Sequence, residues 1–308
     1  GVVRGRAHRG EDAAESLGQR VRAQRDARDD AEAAAPAAAN LPVICTAQQG
    51  KGTRFISVRF GNVLASNGSV VTNLVALDSP LDFLNYQIVS GNTNNTFALD
   101  PDTGKLKWYF SHSPGESLDL DEVFERILID HGDQKTVMTI GKPGILWNLD
   151  RATGKFIAAK QTVYNNVYEN FDEKTGKVTY RKDIRDQKVD QWLASCPGPE
   201  GGHDWQAMSY HQPSDTVIIP LSQSCVFMLG NGSQTYFEMP GTDGNMGRLS
   251  AYRAADLKPL WTLQQRSPFM TGVLSTAGDL AFVGDYDRRF RAVDAKTGKT
   301  LISTYRHY

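Results

Sequence analysis

The residues best suited to chemistry in this chain are Asp119 and Asp121, in the phrase SLDLDE. They stand two apart, so on an extended segment both carboxylates project to one side. Two carboxylates held together repel unless a cation or a proton separates them. Hard oxygen ligands of this kind are what Ca²⁺ and similar ions require. The other reading of the same residues is a solvated acidic turn leading into a helix over 122–128, where acidic side chains favour the N-terminus. The cysteines offer less. Cys45, Cys196 and Cys225 are the only three, and neither a C-x-x-C pair nor a Cys/His zinc spacing occurs.

The elements that must hold such residues are announced by a recurring phrase. ALDPDTGKLKW (98–108), WNLDRATGK (147–155), AYRAADLKPLW (251–261) and AVDAKTGKTL (292–301) share an apolar stretch, a polar turn and a return to apolar residues. Asp100, Asp150, Arg253 and Asp294 occupy the same place in the four copies, at steps of 50, 103 and 41 residues. The long step is about twice the others and predicts one further copy inside it. A period of 40–50 residues with short strands and glycine turns is that of propeller blades. Each phrase is expected to be a strand, a tight turn at Thr-Gly-Lys, and a strand that starts the next sheet.

Composition sets the limits. The chain has 308 residues, 40% hydrophobic and 22% charged, with a net charge of −1. That balance gives no electrostatic case for nucleic acid or an acidic membrane surface. No run of 18 apolar residues is present, so no membrane span is expected. The first residues lack the apolar core of a signal peptide. Residues 1–40 hold seven Arg, seven acidic residues and twelve Ala, with no Lys and no aromatic side chain. Such a segment buries too little apolar area to offset its chain entropy, and disorder or a frayed polar helix is expected. Residues 53–71, TRFISVRFGNVLASNGSVV, alternate like a strand up to Gly61-Asn62. They resemble a short segment of the nucleotide-sugar epimerases and dehydratases of polysaccharide synthesis. Nineteen residues cannot supply a dinucleotide-binding sheet or its glycine turn. We therefore divide the chain into 1–72, an unrelated or frame-shifted segment that is largely disordered, and 73–308.

From about residue 86 the phrases SPGESLDLDEVFERILID, TIGKPGILWNLDRATGK, SCPGPEGGHDWQAMSYH, IIPLSQSC and SPFMTGVLSTAGDLAFVGDYDRRFRAVDAKTGKTL resemble the quinoprotein alcohol dehydrogenases. These use pyrroloquinoline quinone (PQQ) and are of the methanol and ethanol dehydrogenase type. The resemblance implies an all-β fold, a partial β-propeller of about four blades out of eight, behind a poorly ordered N-terminal segment. It implies oxidation of a primary alcohol to an aldehyde, with PQQ and Ca²⁺ or a lanthanide as cofactors. A cytochrome c-type electron acceptor and a periplasmic location follow from it too. Asp119 matches the catalytic base, and Asp121 the additional carboxylate of lanthanide-using members. Lys142, in GKPG, matches a cationic contact to the quinone, though on its own it reads as an exposed turn lysine. Asp204 stands where relatives have Asn near the cofactor, and an acid there would repel the quinone's carboxylates unless protonated or paired. Trp205 is expected as a propeller core residue rather than a plate against the cofactor. Met270 stands where relatives place a side chain against the quinone, and equally suits core filling. Asn92, in VSGN, matches a metal-binding Asn. Cys196 and Cys225 match a disulfide pair, leaving Cys45 unpaired. The Asn-x-Ser/Thr sites at Asn67, Asn94 and Asn231 carry no weight.

The resemblance covers only part of the family fold, so the chain is expected to be incomplete and inactive alone, and to self-associate through open propeller edges. The competing class is a non-catalytic PQQ-repeat propeller that serves as a binding scaffold. Such scaffolds share the repeated turn phrase but lack SLDLDE, GKPG and GGHDW together.

Overall fold

A computed structural model describes residues 94–305, apart from 101, 102, 104, 115, 117, 189 and 230–232. The described residues belong to the second of two units of the chain, Leu77–Tyr308. The domain division expected at 72/73, the strand at 53–71, Asn92 and Cys45 lie outside them.

In chain order the strands begin with β1 (Asn95–Leu99) and β2 (Leu106–Ser111), an antiparallel pair. A four-stranded meander follows: β3 (Ile127–His131), β4 (Gln134–Ile140), β5 (Ile145–Asp150) and β6 (Phe156–Gln161). β7 (Tyr168–Asp172) and β8 (Lys177–Tyr180) form a separate hairpin, followed by a single helical turn, α1 (Lys182–Arg185). β9 (Leu193–Ser195) pairs with β12 (Ser224–Met228), which also pairs with β13 (Gln234–Glu238). The next blade runs β10 (Ser209–His211), β11 (Thr216–Ser222), β14 (Gly247–Arg253) and β15 (Pro259–Gln265), so the β12–β13 hairpin is an excursion from within it. The last blade is the meander β16 (Leu274–Ser275), β17 (Leu280–Gly284), β18 (Arg289–Asp294) and β19 (Thr300–Tyr305). No helix among the described residues is long and apolar enough to cross a membrane.

These are propeller blades because successive sheets bury both faces. In β5, Ile145 and Trp147 enter one cluster with Phe110 of β2, while Leu146 enters another with Val217 and Ile219 of β11. Ile218, between those two, points the other way, into a third cluster with Ala281 and Val283 of β17. The period-2 alternation of a strand thus serves a different neighbouring sheet on each face.

The repeated phrase closes the last hairpin of each blade. Thr153 donates through its amide and hydroxyl to Asp150 Oδ1 at 2.8 and 2.7 Å, and Thr297 does the same to Asp294 at 2.8 and 2.9 Å. Gly154 and Gly298 sit at φ +70° and +72°, where only glycine is unstrained. In the degenerate copy the polarity is reversed: Arg253 donates to Asp256, and buried Leu257 takes the left-handed position at φ 59°. One expectation is corrected here. The phrase joins the third and fourth strands of one sheet and does not start the next. The further copy expected inside the 103-residue step is present, but among the described residues it brings no additional four-stranded sheet. The step's extra length is β7–β8, whose own turn Asp172-Glu-Lys-Thr-Gly-Lys repeats the phrase on an isolated hairpin, together with β9, β12 and β13.

Adjacent sheets are sealed by tryptophan. Trp108 of β2 donates its indole N–H to the Arg151 carbonyl in the next sheet's turn at 3.1 Å. Trp261 of β15 does the same to Ala295 at 3.0 Å. Each indole lies over the turn's glycine, Gly154 or Gly298, where a Cβ would collide with it.

Candidate active site

The loop from β2 to β3 crosses the end of the first complete blade and carries the acidic phrase. Leu118 and Leu120 are buried, at 4% and 0% exposure, while Asp119 is exposed and Asp121 half-buried. No helix forms over 122–128: the chain stays irregular until β3 begins. Asp119 adopts φ 61°, a left-handed conformation that is uncommon outside glycine and that Asp tolerates better than most residues.

Lys142 comes from the turn between β4 and β5, where Gly144 takes φ +69° and its amide bonds the Gly141 carbonyl. The lysine backbone is held on both sides. Its amide donates to the Asp121 carbonyl at 2.9 Å, and its carbonyl accepts from Gly202 at 2.7 Å. Gly201 packs against it so closely that a Cβ there would lie 2.8 Å from the Lys142 Cα. The ammonium, on a side chain only 9% exposed, reaches Asp121 Oδ2 at 2.8 Å and Asp119 Oδ2 at 3.2 Å. Burial works against its charge. The hydrogen bond to Asp121 and the charges of Asp121, Asp119 and Asp204 outweigh burial and hold the Lys142 pKa above the ordinary lysine value. Lys142 is therefore a buried cation, and the exposed turn lysine is overturned.

The structure thus brings Asp119, Asp121 and Lys142 together. Asp204 acts on the same ammonium; burial raises its pKa, and the Lys142 charge opposes the rise. Trp205 is 56% exposed, so it is no core residue. Two buried glycines and His203 precede it, the His203 ring fixed by a bond between Nδ1 and the Pro220 carbonyl at 3.0 Å. Met270 is half-buried on the loop between β15 and β16, its amide bonded to Gly284 at 2.9 Å. Cys196 and Cys225 form a disulfide, with a Cα–Cα distance of 4.3 Å.

Several residues of the site had no distinct signal. Glu122 is 1% exposed; its Oε1 accepts from the Trp147 indole at 3.3 Å, and its Oε2 is buried without a hydrogen-bond donor. Burial pushes its carboxyl up to about 8, against the pull of Arg126. Glu116 is raised to about 7, also mainly by burial. Tyr236, on β13, has its pKa raised by burial and by the charges of Glu200 and Asp119, with Lys142 opposing. In sequence, Glu122 was only one more acid in an acidic run.

The two carboxylates exceed the Lys142 charge by one, and both remain partly exposed, Asp119 the more so. That excess suits a hard cation. Lys142 suits an anionic quinone only with such a cation beside it, because its charge is already shared. Among the described residues no group of three or more His, Cys, Asp or Glu side chains converges as a metal site, so these residues would supply part of a coordination shell.

Comparison with known proteins gives two separate matches. A model of the family described as "Polysaccharide biosynthesis protein" matches residues 34–77, outside the described residues. The quinohemoprotein alcohol dehydrogenase of Comamonas testosteroni is 33% identical over 228 residues, which are 66% of this chain and 32% of that protein. The lanthanide-dependent methanol dehydrogenase of Methylacidiphilum fumariolicum (strain SolV) is 30% identical over 222 residues, 67% of this chain and 36% of that protein. Among solved structures, the Comamonas enzyme superposes with a TM-score of 0.60 at 30% identity, covering 68% of this chain and 35% of that one. A europium-containing methanol dehydrogenase gives a TM-score of 0.61 at 28% identity, covering 69% and 40%. The chain spans about one third of the length of the curated relatives it matches.

Proposed function

Two thirds of this chain is similar to one third of the PQQ-dependent quinoprotein alcohol dehydrogenases, which are oxidoreductases, and from this we propose that Asp119, Asp121 and Lys142 belong to the reacting centre of such an enzyme. The reaction is oxidation of a primary alcohol to an aldehyde. One observation carries the reading: two loops separated by more than 20 residues deliver two carboxylates to one buried ammonium.

PQQ supplies the hydride acceptor when bound. The chain's own residues supply the rest. Asp119 Oδ2 is held by Lys142, so the other carboxylate oxygen is free to take the proton from the alcohol hydroxyl. Asp121 and Asp119 together offer oxygen ligands to Ca²⁺ or a lanthanide. Lys142 places a fixed, water-shielded positive charge where the reduced quinone would gain negative charge. Asp204 lowers the local positive charge and so opposes that stabilisation unless it carries a proton, which its burial favours. A cytochrome c-type acceptor, a periplasmic location and the need for further blades belong to the same proposal. A binding scaffold built on the same repeat has no use for a buried ammonium clamped by two acids.

The test is a chimera that joins this chain to the remaining length of the Comamonas relative. Ethanol oxidation should require added PQQ and Ca²⁺ or La³⁺. Asp119→Ala should abolish turnover, and Asp121→Ala should impair the lanthanide-supported rate selectively. A chimera that loads PQQ and tolerates Asp119→Ala overturns the assignment. The chain alone should show no activity.

A further inference from the structure

We propose that Asn94 is a positioning residue for the carboxylate pair, acting as a one-residue substitute for a neighbouring strand along 120–122. The inference rests on the reading of Asp119, Asp121 and Lys142 given above. Asn94 Nδ2 donates to the Leu120 carbonyl at 2.9 Å, and its Oδ1 accepts from the Glu122 amide at 3.3 Å. In an extended segment these two backbone groups flank residue 121 and point to the same side, as in a strand pair. Asp121's own carbonyl points the other way and accepts from the Lys142 amide at 2.9 Å. Asp121 is therefore held from both sides, like the middle strand of three, with its carboxylate directed to the Lys142 ammonium.

Asparagine suits this task by its chemistry. Its carboxamide carries the donor and the acceptor of a peptide group on a short stem. Aspartate would set an oxygen against the Leu120 carbonyl, and an aliphatic side chain would leave both backbone groups unpaired. Asn94 is 3% exposed, so a replacing water has little access. Its own backbone is fixed, because its carbonyl accepts from the His112 amide at 2.9 Å and extends the β1–β2 ladder by one rung. Burial also removes Asn94-Asn95-Thr96 from consideration as a glycan acceptor. Without Asn94 the Leu120 carbonyl and the Glu122 amide lose their partner, the backbone beside Asp121 keeps the Lys142 bond on its other side, and the two carboxylates lose their common aim.

The experiment uses the full chain without cofactor and follows acetic anhydride labelling of individual lysines by mass spectrometry. In Asn94→Ala, Lys142 should be acylated about ten-fold faster, the scale of losing two backbone hydrogen bonds. Lys160 and Lys296, paired elsewhere with Glu173 and Asp279, should keep their rates. Asn94→Asp keeps the size and the acceptor and replaces the donor by a second oxygen set against the Leu120 carbonyl, so it serves if the alanine variant fails to fold; the same selective acceleration is expected. An unchanged Lys142 rate overturns the proposal. So does an equal acceleration of all three lysines, which would make Asn94 a stabiliser of the fold alone. Asp121→Asn separates the two readings. If Lys142 ignores Asp121→Asn, the charged cluster behind the proposed function fails. If it responds to Asp121→Asn and ignores both Asn94 variants, only the present inference fails.

Discussion

At the scale of single residues, the closeness of Asp119 and Asp121 was legible from their spacing, although the left-handed backbone at Asp119 that the structure uses was not. Nor was the company they keep. Asn94 acts through backbone groups 26 residues away, and Glu122 differs from its acidic neighbours only in being covered. Covered acids leave a mark on stability. A glutamate free in the unfolded chain titrates near 4.5, whereas burial raises Glu116 to about 7, with Asp121 and Asp119 adding to the rise and the Leu118 and Leu120 amides opposing it. Between those values the folded protein holds a proton that the unfolded chain has released. The contribution of Glu116 is therefore fully present below about 4.5 and is lost as the pH climbs through 7. The limiting slope is about 1.4 kcal/mol per pH unit. Glu116→Gln should remove it, so urea midpoints of variant and parent should diverge between pH 4.5 and 7, the variant gaining with rising pH. Parallel curves would show that Glu116 titrates normally.

At the scale of elements, the turns were legible wherever Asp-x-x-Thr-Gly-Lys stood intact, because the Thr-to-Asp bonds and the left-handed glycine follow from those residue types. The Arg253 copy folds to the same shape with the charges exchanged, which no pattern of residue types announces. The β12–β13 excursion was hidden for a different reason. Its strands read as more of the same alternation, and only the pairing shows that they leave the blade. The Cys196–Cys225 bond ties this hairpin to the loop that ends at Gly202, whose amide holds the Lys142 carbonyl. Cys225→Ser should cost about 2–4 kcal/mol of unfolding free energy. It should also speed amide exchange at Gly202 more than at β17, which lies in the last blade. Uniform exchange throughout would mean that the bond stabilises without organising the site.

At the scale of the whole molecule, the blade repeat was legible from spacing, but what fills the long step was not, because an isolated hairpin and an excursion imitate a blade's length. The last sheet ends on β19, all of whose residues are exposed. Ile302 lies eight residues after Asp294, as Trp108 does after Asp100 and Trp261 after Arg253. It thus occupies the sealing position, and it is 60% exposed, with Leu301 at 49% beside it. An uncovered apolar strand at a sheet edge favours association. Sedimentation velocity should show self-association that rises with protein concentration and weakens in Ile302→Lys; a monomer at all concentrations would count against it. The tryptophan seals carry a further, mechanical consequence. Each seal joins one sheet to the turn of the next beside the apolar interface the two sheets share, so load applied along the chain meets the seams one after another. Drawn out by its C-terminus, the protein should yield in discrete steps. The last blade should part first at Trp261 and Gly298, and the earlier seam at Trp108 and Gly154 should hold until the pull reaches it.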